Sequence, residues 1–144
     1  MTTLGKWKAY VDGAARGNPG PAGIGVLLED ADGNVVKEVG EPLGRTTNNV
    51  AEYSALIRAL EEARLHGCDS LAVFTDSELM AHQVNGKYAV KAAHLIPLFQ
   101  RARLLLRQFD SATVTHIRRE LNKRADALSN IGADQVGKPL SSQG

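Results

Sequence analysis

The chain has 144 residues, 43% hydrophobic and 23% charged, with a net charge of +1. That length suits one domain with a proper core, the composition is that of an ordinary soluble globular protein, and no run is apolar enough to span a bilayer. Met1 to Lys8 lacks an apolar signal segment, and Cys68 is the single cysteine, so no intrachain disulfide can form and a cytoplasmic location is expected.

Trp7 to Val11 alternates apolar and polar residues and reads as a strand, with Asp12 at its end and a Gly/Pro-rich turn, Gly13 to Pro21, behind it. Taken alone, Asp12 is an ordinary turn residue. Gly23 to Leu28 and Val35 to Val39 form two more strands joined through Ala31-Asp32-Gly33-Asn34, which implies an antiparallel meander. Pro42, Gly44 and the polar run Arg45 to Asn49 then break the pattern. Val50 to His66 has Leu56, Ala59, Leu60 and Ala63 at helical spacing, with Gly67 as the stop.

Ser70 to Thr75 is a short apolar strand, expected to be buried on both faces, and it leads into Asp76. Helices follow over Leu79 to Val84 and about His94 to Phe109, with Pro97 tolerated in the first turn of the second. Thr113 to Ile117 is a fifth strand, and Asn122 is a candidate N-cap for a helix from Lys123 to about Gln135. One domain is expected over residues 1–136, with a mobile tail over 137–144. From His82 to Arg124 there are nine Lys and Arg against two Asp and Glu. The remainder is net acidic, a division suited to a protein with one nucleic-acid-facing surface, though also to a solvated arginine-rich helix.

Asp12 and Asp76 both close apolar strands; if those strands are parallel neighbours, the two carboxylates emerge together at the carboxyl edge of the sheet. Glu52 lies in the first turn of a helix and Asp126 in the first turn of the last one. Four converging carboxylates suit a hard divalent cation such as Mg2+, and without one they repel and raise each other's pKa. Each acid also has a local explanation. Asn49 to Glu52 reads as a capping box, Asp76 as a helix cap, and Asp126 as a residue favoured by the helix dipole.

Together these residues resemble type 1 ribonuclease H. Tyr10-Val11-Asp12-Gly13 with Gly17-Asn18-Pro19-Gly20-Pro21 looks like its first motif and Thr46 to Glu52 its second. Thr75-Asp76-Ser77 looks like the third and Asn122-Lys123-Arg124-Ala125-Asp126 the fourth. They occur in the family's order across most of Trp7 to Asp134.

The resemblance implies an α/β ribonuclease H-like fold. This is a five-stranded mixed sheet with strands 1-2-3 as an antiparallel meander, strands 4 and 5 parallel to strand 1, and helices on both faces. It further implies hydrolysis of the RNA strand of RNA–DNA hybrids with two Mg2+ or Mn2+ ions, leaving 5′-phosphate and 3′-hydroxyl ends. The metal-holding catalytic set would be Asp12, Glu52, Asp76 and Asp126, with Asp12 bridging both ions. Asn18, Asn48 and Asn49 match minor-groove contacts, including RNA 2′-hydroxyls, and Thr47 matches a contact to a DNA-strand phosphate.

Two features depart from some relatives. Asp126 follows Asp76 by only 50 positions, which leaves no room for an extra basic helix and loop. Lys87, Lys91, Arg101, Arg103 and Arg107 are the candidate substitutes. A catalytic flexible-loop histidine would fall at His116, yet Val114 to Ile117 reads as strand. Two readings therefore stand: His116 assists catalysis, or Arg118 or Arg119 lies near the scissile phosphate instead. Because all four acids are present, an active enzyme is expected rather than a silent module binding hybrids or double-stranded RNA, and a monomer is expected. Double-stranded RNA remains a candidate second substrate.

Overall fold

The computed structural model describes residues 5–137. The expected tail therefore lies outside the described residues from position 138 onward. Five strands form one sheet: β1 (Trp7–Ala15), β2 (Gly20–Glu29), β3 (Val35–Thr46), β4 (Ser70–Thr75) and β5 (Ser111–His116). Their order is β3-β2-β1-β4-β5. β1, β2 and β3 pair antiparallel, while β4 and β5 run parallel to β1, as expected. Four helices complete the fold: α1 (Asn48–Leu65), α2 (Glu78–Val84), α3 (Ile96–Leu106) and α4 (Lys123–Asp134).

The helices lie on both faces of the sheet. Val11, Val73, Leu71 and Ala9 point toward α1, where Leu56, Ala59, Leu60 and Ala63 bury the apolar stripe read from the sequence. α4 covers β1, β2 and β3 from the other side. Glycines allow both helices to come this close. A Cβ on Gly13 would sit 2.2 Å from the Ala51 carbonyl carbon of α1. One on Gly25 would sit 2.1 Å from the Ala125 carbonyl oxygen of α4. The sheet is thus pinched between helix backbones at the level of Asp12, which pairs with Gly25.

Several boundaries differ from the sequence reading. β1 continues past Asp12 to Ala15 because β2 stays paired with it; only its pairing with β4 stops at Val11. β3 runs through Pro42 and Gly44 to Thr46, since β3 is an edge strand and the register shifts where Pro42 pairs with Gly23. An edge or a bulge is where a proline can sit in a sheet. β4 alternates buried and half-buried residues instead of being buried on both faces. α1 begins at Asn48, two residues earlier than expected. α3 begins at Ile96 after a 3-10 turn, Ala93–Leu95. Burial pushes the Cys68 thiol up to about 11, which suits an inert core residue. Among the described residues no helix is long and apolar enough to cross a membrane.

Candidate active site

The last residue pair between β1 and β4 is Val11 with Thr75. Asp12 and Asp76 are therefore each the next residue beyond a parallel pair, side by side at the carboxyl edge. Asp76 sits in the bend before α2, whose cap is Ser77; the Ser77 hydroxyl accepts from the Met80 amide at 3.2 Å. The capping role considered for Asp76 thus belongs to its neighbour, and the Asp76 carboxyl acts instead through its charge on Asp12 and Glu52.

Glu52 comes from α1, one residue past the first turn rather than within it. The capping box expected at Asn49 is not formed. Thr47 is the cap, and its hydroxyl accepts from the Val50 amide at 3.3 Å. Asp126 comes from the first turn of α4, as expected. Asn122 is the N-cap residue of α4, but its side chain does not cap. Buried to 1% exposure, it donates from Nδ2 to the Val11 carbonyl at 2.9 Å, tying the start of α4 to β1 just before Asp12.

The electrostatics show how these four acids interact. Asp12 is 8% exposed. Its carboxyl is pushed up to about 8, chiefly by burial and next by the charge of Asp76. The Ser129 hydroxyl opposes that rise, while Asp126 adds to it through hydrogen bonding and charge. Glu52 is pushed up to about 7 by burial and by Asp76, against a hydrogen bond from Ser77. A buried carboxylate beside like charges is costly unless a cation compensates it. Oxygen-only donors of this kind fit a hard divalent ion. Among the described residues no trio of His, Cys, Asp or Glu already stands as a ligand cage; the acids are linked pairwise, through Asp12 and Asp76.

A second layer holds the acids. Ser129 on α4 donates to Asp12 Oδ2 at 2.9 Å and lies 2.8 Å from the Asp126 carbonyl oxygen. Asn130 donates from Nδ2 to the same carbonyl at 2.9 Å and to Asp126 Oδ1 at 3.4 Å. Arg16, in the turn after β1, donates to Asn130 Oδ1 at 3.0 Å and pairs with Asp134. Sequence reasoning did not single out Ser129 or Asn130. Their only signal was a position three and four residues beyond Asp126 on one helix, which brings them over its turn.

The amide residues form a bracket. Asn18 Oδ1 accepts from the Asn48 amide at 3.1 Å, and Asn48 Oδ1 accepts from the Ala15 amide at 2.8 Å. Both oxygens are therefore engaged with main chain, and the two NH2 groups are the ends left to project. Asn49 is exposed on the first turn of α1 beside them.

His116 is the last residue of β5 and pairs with Thr75, so it belongs to a strand and not to a flexible loop. By strand alternation its side chain shares the face of Thr75 and Val11, opposite that of Asp12. Arg118 is exposed just beyond, 3.9 Å from Glu120. Arg119, Glu120 and Lys123 line an open cavity of about 320 Å3 together with Asp126. Two cations thus border this acid, and Lys123 had not been anticipated.

A family model described as reverse transcriptase-like matches residues 10–132. A ribonuclease HI of Halobacterium salinarum is 47% identical over 132 residues, covering 92% of this chain and 66% of the relative. A bifunctional protein of Mycobacterium tuberculosis is 41% identical over 128 residues, covering 88% of this chain and 35% of its own length. The chain thus spans under two thirds of either relative. The crystal structure of ribonuclease H1 from Halobacterium salinarum superposes with a TM-score of 0.87 at 46% identity, over 92% of this chain and 100% of the other. That of LC11 ribonuclease H1 in complex with an RNA/DNA hybrid superposes with a TM-score of 0.84 at 44% identity, over 90% and 98%.

Proposed function

The chain belongs to the type 1 ribonuclease H family, and from that membership we propose that it is an endoribonuclease acting as a monomer on RNA–DNA hybrids. The observation that carries the proposal is the group of four acids from β1, α1, the end of β4 and α4, with Asp12 buried among like charges. A fold does not by itself specify a reaction; the acids and the amide bracket together support this one.

Asp12, Glu52, Asp76 and Asp126 would hold two divalent cations, Mg2+ or Mn2+. When bound, those ions supply an activated water and neutralise charge at the leaving 3′ oxygen, which gives 5′-phosphate and 3′-hydroxyl products. Asn18 and Asn48 donate into the minor groove, where RNA presents 2′-hydroxyl oxygens as acceptors. Asn49 adds a third amide on the same turn of α1. The Thr47 hydroxyl accepts from Val50, which leaves its proton to donate to a DNA-strand phosphate. For the group assisting near the scissile phosphate, the strand position of His116 favours Arg118.

Paired variants test that last assignment. Arg118→Ala should lower kcat by roughly 10-fold or more, within the range for a positioned charge in catalysis. His116→Ala should stay within about threefold of the unmodified enzyme. The reverse order would return the role to His116. Cleavage of double-stranded RNA is a second reading of the same surface, because donors aimed at 2′-hydroxyls can engage either strand.

A further inference from the structure

Ser129 occupies an unusual place for a helical serine. It is 0% exposed, and a serine within a helix ordinarily turns its hydroxyl back onto the carbonyl three or four residues earlier. Ser129 does lie 2.8 Å from the Asp126 carbonyl, but its oxygen is also 2.9 Å from Asp12 Oδ2 on β1. The approach is made possible by β2. Gly25 pairs with Asp12, and a Cβ there would stand 2.6 Å from the Ser129 nitrogen. Gly23, two residues away on the same strand, would meet the Ser129 carbonyl at 2.3 Å. Two glycines thus let α4 settle directly onto the sheet, and Ser129 faces the buried acid.

We propose that Ser129 is a positioning residue for the metal centre: its buried hydroxyl fixes the orientation of the Asp12 carboxylate and its spacing from Asp126. A hydroxyl has one proton and here two acceptors within reach. When a bound cation holds Asp12 ionised, its carboxylate is the stronger acceptor, because hydrogen bonds to a charged group are roughly twice as strong as neutral ones. The bond engages Oδ2 and restrains rotation of the carboxylate. The same serine rides on the helix turn that carries Asp126, so it gauges the distance between two acids that come from different elements. The inference rests on the reading of Asp12 as a metal ligand.

The test compares Ser129→Ala with Asp12→Asn by titrating the substrate-free protein with Mg2+ or Mn2+ in a calorimeter. The rise in melting temperature caused by each ion is recorded in parallel. Ser129→Ala should weaken affinity for the ion roughly 10-fold, the lower end of what outer-shell partners of metal ligands contribute. Its ion-induced rise in melting temperature should shrink, while KM for an RNA–DNA hybrid stays within twofold and kcat falls. A purely structural role would lower the melting temperature equally with and without the ion and leave the affinity unchanged, which overturns the proposal. If Asp12→Asn also binds the ion normally, the metal-site reading itself fails; if only Ser129→Ala does, the positioning role alone fails.

Discussion

Asp12 combines burial with the neighbouring charges of Asp76 and Asp126, and its ordinary value of 3.8 rises to about 8. In the metal-free protein the folded state therefore keeps a proton that the unfolded chain releases. The associated stability is fully present below about pH 4 and is lost as pH rises through about 8. Glu52, raised to about 7, acts in the same direction. Denaturant unfolding in EDTA should show lower stability at pH 8 than at pH 5. Asp12→Asn should flatten that slope and, at pH 8, gain roughly 1–3 kcal/mol by removing an unpaired buried charge. A slope of opposite sign in the unmodified protein would contradict this electrostatic account.

Asn18 and Asn48 permit a second prediction at the same scale. An aspartate at either position keeps the oxygen that accepts from main chain but loses the projecting NH2 donor. Asn48→Asp should therefore raise KM for the hybrid by roughly 10-fold or more, since a repelling carboxylate replaces a donor. Its melting temperature should stay close to that of the unmodified protein. Equal losses of stability and binding would mean that the bracket serves the fold alone.

Among individual residues, the four acids were legible because each sits in a polar string of recognisable order. Ser129 was not, because a serine inside a helix gives no sign of which neighbour its hydroxyl will meet. That depends on the pairing of Asp12 with Gly25, a contact between distant parts of the chain.

For the elements, β4 was read to the residue as Ser70–Thr75, since a short apolar run bounded by polar residues has few alternative lengths. β3 was read too short. Pro42 and Gly44 are strand breakers in isolation, and nothing local shows that this strand lies at the sheet edge, where a proline is tolerated. α1 was read late because Thr47, and not Asn49, supplies the cap. Thr47→Ala should cost about 1 kcal/mol of stability as a lost cap, measured by chemical denaturation. Gly25→Ala should cost more, roughly 3 kcal/mol or above, because the new methyl meets the Ala125 carbonyl in a backbone that cannot yield without moving α4. A near-neutral Gly25→Ala would mean that α4 does not press on β2 as described.

Over the whole molecule, the excess of basic residues from His82 to Arg124 divides into engaged and projecting groups. Arg101 pairs with Glu61, Arg103 donates to the Val84 carbonyl and stacks on Phe99, and Arg124 grips Glu38 with two bonds. Arg101 and Arg103 are therefore weaker candidates for gripping substrate than the sequence suggested. Lys87, Lys91, Arg107, Arg119 and Lys123 make no side-chain hydrogen bond or ion pair among the described residues. The connection from α2 to α3 holds only a 3-10 turn, in keeping with the absence of a basic insertion. Hybrid binding by an inactive Asp76→Asn protein should weaken steeply with added salt. Lys87→Glu with Lys91→Glu should flatten that dependence by about one to two units of log–log slope.

The central claim is that four carboxylates from four separate elements make one metal-dependent centre for cutting RNA paired with DNA. Its most direct test incubates labelled RNA–DNA, RNA–RNA and DNA–DNA duplexes with the protein in Mg2+, Mn2+ or EDTA, alongside Asp76→Asn. Cleavage of the RNA strand of the hybrid is expected with either ion, with DNA–DNA left intact, no cleavage in EDTA, and loss of activity by at least about 100-fold in Asp76→Asn. Failure to cut the hybrid with either ion, or full activity in Asp76→Asn, would contradict it.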